Sequence, residues 1–177
     1  MKHATGGARI RNTVLVLCLG LILGWGAKIM DLRGGYLGVL FSELSVWYLL
    51  CIAISVRSAS PLRAGLHVLL FCMGMLAAYY ITAACTGAVW GTRFACGWTA
   101  FALCLPVCAY LTWFAPGKGL LPVLLRPGIL AVMLLSQASQ FGLGLMDYLL
   151  AAVAAWLLYH HGRRARQGNG CVEKRTC

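Results

Sequence analysis

Charged residues are scarce in this chain, and acidic residues most of all. Only 11% of its 177 residues are charged, and Asp and Glu together number 4. A soluble domain carries about 25% charged residues, so this chain has too little charge to cover a surface that faces water. Hydrophobic residues make up 61% of the sequence. The composition therefore excludes an ordinary water-soluble domain.

Motifs of enzyme active sites are also absent from the sequence. It contains no His-Glu-x-x-His, no Gly-x-Ser-x-Gly and no Walker-type phosphate-binding loop. The 9 cysteines include no Cys-x-x-Cys pair and no spacing typical of zinc sites. His67 is a lone histidine, which is more often structural than catalytic. We therefore predict no catalytic residue, no metal site and no cofactor.

Two cysteine pairs leave alternatives open. Cys85 and Cys96 flank a predicted external loop and form either a disulfide or two free thiols. Cys171 and Cys177 lie near His160 and His161 at the end of the sequence. A metal site is one interpretation of that tail, and a disordered basic tail is the one we predict.

Long apolar runs dominate what the sequence does contain. Six nearly charge-free runs cover residues 14–30, 36–56, 66–85, 95–115, 119–141 and 142–159. A helix needs about 20 mostly apolar residues to cross roughly 30 Å of hydrocarbon. In lipid, each backbone polar group must be satisfied within its own segment, which favours helices, and a small barrel would need alternating polar positions that these runs lack. We predict an all-α fold, a polytopic transmembrane helix bundle with six spans.

Three of the runs need a choice between interpretations. The first follows a basic start, as a secretory signal does, but five further runs follow it, so we predict a retained span. Pro127 interrupts the fifth run, and proline fits best in the first turn of a helix. We therefore predict that the fifth span begins near Pro127, with residues 119–125 approaching it along the interface. A turn at 142–144 leads into the short sixth span, and a re-entrant hairpin at this point is the alternative.

Basic residues favour one side of the predicted membrane. With a cytoplasmic N-terminus and six passes, twelve of the 15 Lys and Arg residues lie inside: Lys2, Arg9, Arg11, Arg57, Arg63, Lys118, Arg126, Arg163, Arg164, Arg166, Lys174 and Arg175. Only Lys28, Arg33 and Arg93 lie outside, as the positive-inside rule requires. Both termini are thus predicted to be cytoplasmic, with basic segments 1–13 and 160–177 flanking one domain over 14–159. The charge of +11 predicts anionic lipid headgroups, and not nucleic acid, as the partner.

Small residues at helical spacing mark predicted contact faces between the spans. They are Gly20 and Gly24, Gly74 and Ala78, and Ala151 and Ala155. Lys28 continues the first face, and Asp147 lies on the last. If those two faces meet, Lys28 and Asp147 pair near the outer surface.

Polar and aromatic side chains cluster in the predicted outer half of the bundle. Glu43 is expected about two turns into the second span, on one face with Trp47, and a charge at mid-bilayer costs at least about 2.5 kcal/mol. Glu43 must therefore face a partner, water or a cavity. The candidate polar pocket consists of Lys28, Asp31, Glu43, Trp47, Tyr79, Tyr80, Gln137, Gln140 and Asp147. The alternatives are a structural network between helices and a Glu43 side chain that reaches up to the interface.

Two stretches resemble a known family. Residues 40–83 read LFSELSVWYLLCIAISVRSASPLRAGLHVLLFCMGMLAAYYITA, and residues 97–119 read GWTAFALCLPVCAYLTWFAPGKG. The SELSVW and SPLRA segments and the two tyrosines after FCMGM are distinctive. The chain, over about residues 19–159, resembles uncharacterised small multi-spanning membrane proteins of Gram-positive-type bacteria. The resemblance implies the bacterial cytoplasmic membrane and no activity.

Two functions stay open on the sequence. The first is a protein that binds or transports a small solute or cation through an outward-facing polar pocket. The second is a structural or regulatory subunit, beside another membrane protein, whose polar residues fix helix packing. An intramembrane enzyme is disfavoured because no catalytic motif is present.

Overall fold

The computed structural model describes residues 6–35, 38, 41, 43–88, 91–140 and 142–173. Within these residues the protein is entirely helical, and six helices have defined bounds. They are α1 (Gly6–Arg33), α2 (Leu44–Arg57), α3 (Pro61–Cys85), α4 (Thr92–Thr112), α5 (Leu120–Gln140) and α6 (Leu145–Glu173). Gly38 and Phe41, between α1 and α2, are helical as well. The predicted all-α class is confirmed for this part of the chain.

Four of the helices are long and apolar enough to cross a membrane. Their apolar stretches are Ile10–Arg33, Pro61–Cys85, Ala95–Thr112 and Leu120–Ser139. At most 39% of any of these stretches is buried within the protein, and large apolar side chains such as Ile22, Ile81 and Val107 are exposed. Water disfavours so much exposed apolar surface, whereas hydrocarbon does not. These helices are those expected of a membrane protein. The other two apolar helices, Leu44–Arg57 and Leu145–His160, are shorter.

Short sequence signals set the ends of α1 and α3. Ser60 precedes α3, and its Oγ accepts a hydrogen bond from the backbone N–H of Arg63 at 3.4 Å. Pro61 then occupies the first helical position, where its missing N–H and fixed φ are no disadvantage. After α1, Gly34 adopts a φ of 68°, and its N–H bonds to the carbonyl of Asp31. A left-handed residue of this kind ends a helix, and glycine adopts it without strain.

The described helices group into two compact units. The first unit contains residues Met1–Ser42 and Gly65–Cys108, and the second contains Glu43–Ala64 and Ala109–Cys177. The first unit therefore holds α1 and most of α3 and α4. The second holds α2, α5 and α6.

In the first unit, α1 and α3 run parallel and touch through glycines. A methyl group placed on Gly20 would meet the backbone of Phe71, and one placed on Gly24 would lie 2.8 Å from the Cα of Met75. On α3, a methyl group placed on Gly74 would lie 3.0 Å from Cδ1 of Leu17 of α1. The prediction that Gly20, Gly24 and Gly74 mark contact faces is confirmed. The expected meeting of the first face with the last span is wrong, because the glycines of α1 pack against α3.

In the second unit, α2 and α6 run in one direction and α5 runs in the other. The N-terminal residues of α2 bond to Gln137 near the end of α5 and to Asp147 near the start of α6. A core of buried apolar side chains follows these bonds: Ile52, Ala115, Met133, Ala154 and Leu158. On α6 this places Ala154 in the core, with Ala151 packed beside it.

Three predicted boundaries differ from those of the structure. Helix α5 begins at Leu120 and carries Pro127 inside it, because proline weakens a helix at one hydrogen bond without always ending it. The helix of the second run begins at Leu44, so Glu43 lies before α2 in extended conformation and not two turns inside a helix. The predicted disordered tail is helical as far as Glu173; residues 163–167, RRARQ, favour helix, whereas Gly168 and Gly170 do not.

The close contact between α1 and α3 predicts that two glycine substitutions on α1 affect stability differently. We expect Gly24→Ala to lower the free energy of unfolding by about 1–3 kcal/mol, because the added methyl group overpacks the contact with Met75. A methyl group placed on Gly26 would have nothing within 4 Å. Gly26→Ala should therefore leave stability unchanged or raise it by about 0.5–1 kcal/mol, as alanine does in helices.

Thermal unfolding in detergent, followed by circular dichroism, compares these two variants with the wild type. Equal effects of the two substitutions would contradict the described packing of α1 against α3.

Candidate functional site

The predicted pocket residues fall into two clusters, one in each unit. The first cluster contains Lys28, Asp31, Tyr79 and Tyr80. The second contains Glu43, Trp47, Gln137 and Asp147. Gln140 is the last residue of α5, and its side chain lies outside the described ones.

The first cluster is a closed network around a buried lysine. Lys28 is 5% exposed, and its Nζ donates to Asp31 Oδ2 at 2.9 Å and to the hydroxyl of Tyr79 at 3.5 Å. Tyr79 in turn donates to the same Asp31 oxygen at 2.8 Å. The Lys28 ammonium also lies 4.8 Å from the centre of the Tyr79 ring. Each charge is thus paired, as buried charges must be.

This first network holds α1 to α3. Lys28 and Asp31 are one helical turn apart on α1, and Tyr79 reaches them from α3. Tyr80 packs edge-on against Tyr79, with ring centres 5.3 Å apart. At the other end of the same helix pair, Thr13 is hydrogen-bonded to His67 at 3.2 Å. His67 therefore makes a structural contact between the two helices.

The second cluster is built around a buried aspartate at the start of α6. Asp147 is 1% exposed. Its Oδ1 accepts a hydrogen bond from Ser45 Oγ at 2.5 Å, and its Oδ2 accepts one from the backbone N–H of Gly144 at 3.0 Å. The bond to Gly144 closes the first turn of α6, where a negative charge is also favoured by the helix dipole. Asp147 therefore joins α6 to α2 while both of its oxygens are occupied.

Helix α5 contributes neutral polar groups to the same cluster. Gln137, also 1% exposed, accepts a hydrogen bond from the backbone N–H of Leu44 at 3.1 Å. That N–H is one of those at the start of α2 with no partner inside the helix. One turn further along α2, the hydroxyl of Tyr48 lies 3.2 Å from that of Ser136. Two polar pairs thus join α2 to α5 at this end.

Glu43 is the exception in this cluster. Its Oε2 is buried, yet it accepts no hydrogen bond from any of the residues that the structure describes. Glu43 comes two residues before Ser45, which binds Asp147, so the two acidic residues belong to the same cluster. An unsatisfied buried polar group costs about 1–3 kcal/mol or more. Trp47, also predicted for the pocket, is buried on the first turn of α2.

The predicted pairing of Lys28 with Asp147 is wrong. Lys28 bonds to Asp31 and Tyr79, whereas Asp147 bonds to Ser45 and Gly144. Helical spacing assigned each charge to a helix face. Lys28 and Asp147 each have one partner three residues away in the sequence, Asp31 and Gly144. Their other partners, Tyr79 and Ser45, lie on neighbouring helices, which the spacing of small residues did not identify.

Three polar residues of the second cluster were missed by the sequence prediction: Ser45, Tyr48 and Ser136. Each of them carries a hydroxyl within an otherwise apolar run, and that pattern could have indicated a polar contact between helices. Ser45 and Tyr48 lie three positions apart, on one face of a helix, so their shared direction could have been inferred from the sequence.

Among the described residues, no group of three or more His, Cys, Asp or Glu side chains could hold a metal ion. Cys85 and Cys96 are both free thiols. Of the two alternatives for this pair, a disulfide or two free thiols, the structure has the free thiols.

Comparisons with protein-family models, with curated proteins and with solved structures find no match to this chain. The resemblance to small bacterial membrane proteins therefore stays a prediction.

The hydrogen bond from Ser45 to Asp147 predicts that removal of the Ser45 hydroxyl alone lowers stability. We expect Ser45→Ala to lower the free energy of unfolding by about 1–3 kcal/mol, because a buried carboxylate oxygen loses its donor. The matched control is Ser139→Ala, since Ser139 is exposed and bonds to a carbonyl of its own helix. That control should stay within about 0.5 kcal/mol of the wild type.

Thermal unfolding in detergent measures both serine variants. Equal stability of Ser45→Ala and the wild type would mean that the second cluster does not hold α2 to α6.

Proposed function

We propose that the chain is a multi-pass protein of the bacterial plasma membrane, with six passes and both termini in the cytoplasm. Four long apolar helices and their exposed apolar side chains support insertion. The relative helix directions within each unit support the pass order: α1 runs parallel to α3, and α5 runs opposite to α2 and α6. The distribution of Lys and Arg supports the orientation.

The two short apolar helices need extra length to cross. Helix α2 has 14 residues and spans about 21 Å, less than the roughly 30 Å of hydrocarbon. Helical residues Gly38 and Phe41 precede it, so the second pass would begin before Glu43. Helix α6 continues to Glu173, but its apolar part ends at His160 and covers about 24 Å, so the sixth pass would be a short one.

Reporter fusions test the six passes. A phosphatase that is active only outside the cell, fused after Gly35, Gly87 or Gly142, should be active, and fused after Ser58 or Gly117 it should be inactive. An inactive fusion after Gly142 would mean that α5 turns back without crossing, as in a re-entrant hairpin.

Within this membrane protein, we propose that the second cluster binds a small cation through Glu43. The observation that carries this proposal is the buried Oε2 of Glu43, which accepts no hydrogen bond from the described residues. A carboxylate in such a place needs a proton, a cation or water to offset its charge. Asp147 increases the need, because it adds a second negative charge nearby.

The chemistry of the cluster indicates what kind of cation would bind. The second cluster, to which Glu43 belongs, also offers oxygens: the Asp147 carboxylate, the Ser45 hydroxyl and the Gln137 amide oxygen. Hard cations prefer oxygen ligands, whereas zinc and copper favour nitrogen and sulfur. Because only two carboxylates are present, we favour a monovalent ion, with Na⁺ and H⁺ as the forms to test.

A second candidate function is a structural or regulatory membrane subunit without a ligand. The bonding of Asp147 and Gln137 favours it, since both side chains join neighbouring helices. The closed network of Lys28, Asp31 and Tyr79 favours it as well. On this alternative the polar groups serve only to fix helix packing.

Substitution of Glu43 separates the two functions. On the cation proposal, raising Na⁺ at constant ionic strength, with choline as the replaced ion, increases the unfolding temperature of the wild type. A Glu43→Gln variant folds but no longer responds to Na⁺, and Glu43→Asp keeps part of the response. A Na⁺ concentration of about a hundred times the Kd would stabilise the wild type by about 2.7 kcal/mol.

A parallel series varies the pH at constant salt and measures the same unfolding temperature, so that H⁺ is tested in place of Na⁺. A wild-type unfolding temperature that depends on neither ion would count against cation binding. Lower stability of Glu43→Gln in every salt, with the ion response unchanged, would favour the structural subunit.

A further inference from the structure

Arg126 and Tyr159 mark the end of the second unit opposite to the second cluster. Arg126 Nε donates to the carbonyl of Ala115 at 2.8 Å, and its Nη2 donates to that of Gly117 at 3.0 Å. Its guanidinium also lies over the ring of Tyr159, 4.8 Å from the ring centre. These contacts place Arg126 of α5 and Tyr159 of α6 at the same level.

The same turn of α6 presents two more rings at this level. Trp156 is 58% exposed and stacks on His160, with ring centres 5.2 Å apart and planes 14° apart. The apolar part of α6 ends here, at His160. Tryptophan and tyrosine rings are enriched where hydrocarbon meets the headgroups. This turn therefore has the composition of a membrane interface.

Basic residues follow this interface turn directly. Arg163, Arg164 and Arg166 come three to six residues after His160, which in helix α6 corresponds to about 5–9 Å. That distance is similar to the Debye length of about 8 Å at physiological salt. No Asp or Glu lies between Asp147 and Glu173, so acidic neighbours in the sequence do not offset the three charges.

We propose that this segment of α6, defined by Trp156, His160, Arg163, Arg164 and Arg166, binds the headgroups of anionic phospholipids in preference to zwitterionic ones. The inference rests on the membrane insertion proposed above and not on the cation site. Lipid is favoured over nucleic acid because the arginines are joined to an exposed apolar helix surface, which includes Leu149 and Val153. Nucleic-acid binding would use the charges but leave that surface uncovered.

Lipid selectivity of the full chain tests this proposal. The protein is reconstituted in phosphatidylcholine vesicles that contain a trace of spin-labelled phosphatidylglycerol or spin-labelled phosphatidylcholine. Electron paramagnetic resonance then measures how much of each labelled lipid the protein immobilises. We expect a preference of about fivefold for phosphatidylglycerol, the factor that one basic residue near an anionic surface contributes. The preference should fall toward one in high salt.

Two multiple variants locate the effect. Replacing Arg163, Arg164 and Arg166 by Gln should remove most of the preference. Replacing Arg33 and Arg93 by Gln, at the end of α1 and the start of α4, should leave it unchanged. Both variants must float with the vesicles as the wild type does, which reports that they are inserted.

The outcomes separate this inference from the proposal on which it rests. Vesicle flotation without a preference for phosphatidylglycerol, or an equal loss in both variants, would overturn this inference alone. Failure of the wild type to float would overturn membrane insertion and the inference together. Displacement of labelled phosphatidylglycerol by an RNA oligonucleotide would indicate a nucleic-acid partner instead.

Discussion

A hydrocarbon environment supplies no hydrogen bonds, and the arrangement of polar groups in this protein follows from that constraint. Every polar group that enters it must be paired by the protein itself, by a bound ion or by trapped water. Helices satisfy their own backbones except at their ends. In the second unit, the free N–H at the start of α2 is satisfied by Gln137 of the neighbouring helix. The polar side chains of the second cluster therefore gather at the start of α2 and α6, and the middle of the second unit is packed with apolar residues such as Met133 and Ala154.

The same constraint explains how each unit treats its charges. Lys28 is neutralised within one turn by Asp31, and Tyr79 bonds to both, so the network adds no net charge to the first unit. Asp147 has no such counter-ion among its described partners. It relies on neutral donors, the Ser45 hydroxyl and the Gly144 N–H, which stabilise a carboxylate but leave its charge in place. Membrane helices gain only about 0.6 kcal/mol on average from polar contacts between them, so an uncompensated acid is a poor way to fasten two helices.

Much of this architecture could be predicted from local sequence, because helix formation in lipid depends on local composition. The apolar runs predicted the long helices, and the spacing of Gly20 and Gly24 predicted a close contact. The identity of the partner helix could not be predicted, since α3 and α6 both offer small residues. Nor could the break before α2, because no proline or glycine stands at Glu43. The site depends on those long-range contacts, and the predicted pocket residues divide between the two units.

The difference between the two acids of the second cluster bears on the choice between a binding role and a structural one. Asp147 and Glu43 carry the same chemical group, yet both oxygens of Asp147 accept hydrogen bonds while one oxygen of Glu43 is buried without a donor among the described residues. A purely structural network gains nothing from a carboxylate in that condition, because a glutamine or an apolar residue of similar size would avoid the unsatisfied oxygen. A cation bound by Glu43 would satisfy this oxygen. Asp147, fixed by Ser45 and Gly144, would add a second acidic group of the same cluster.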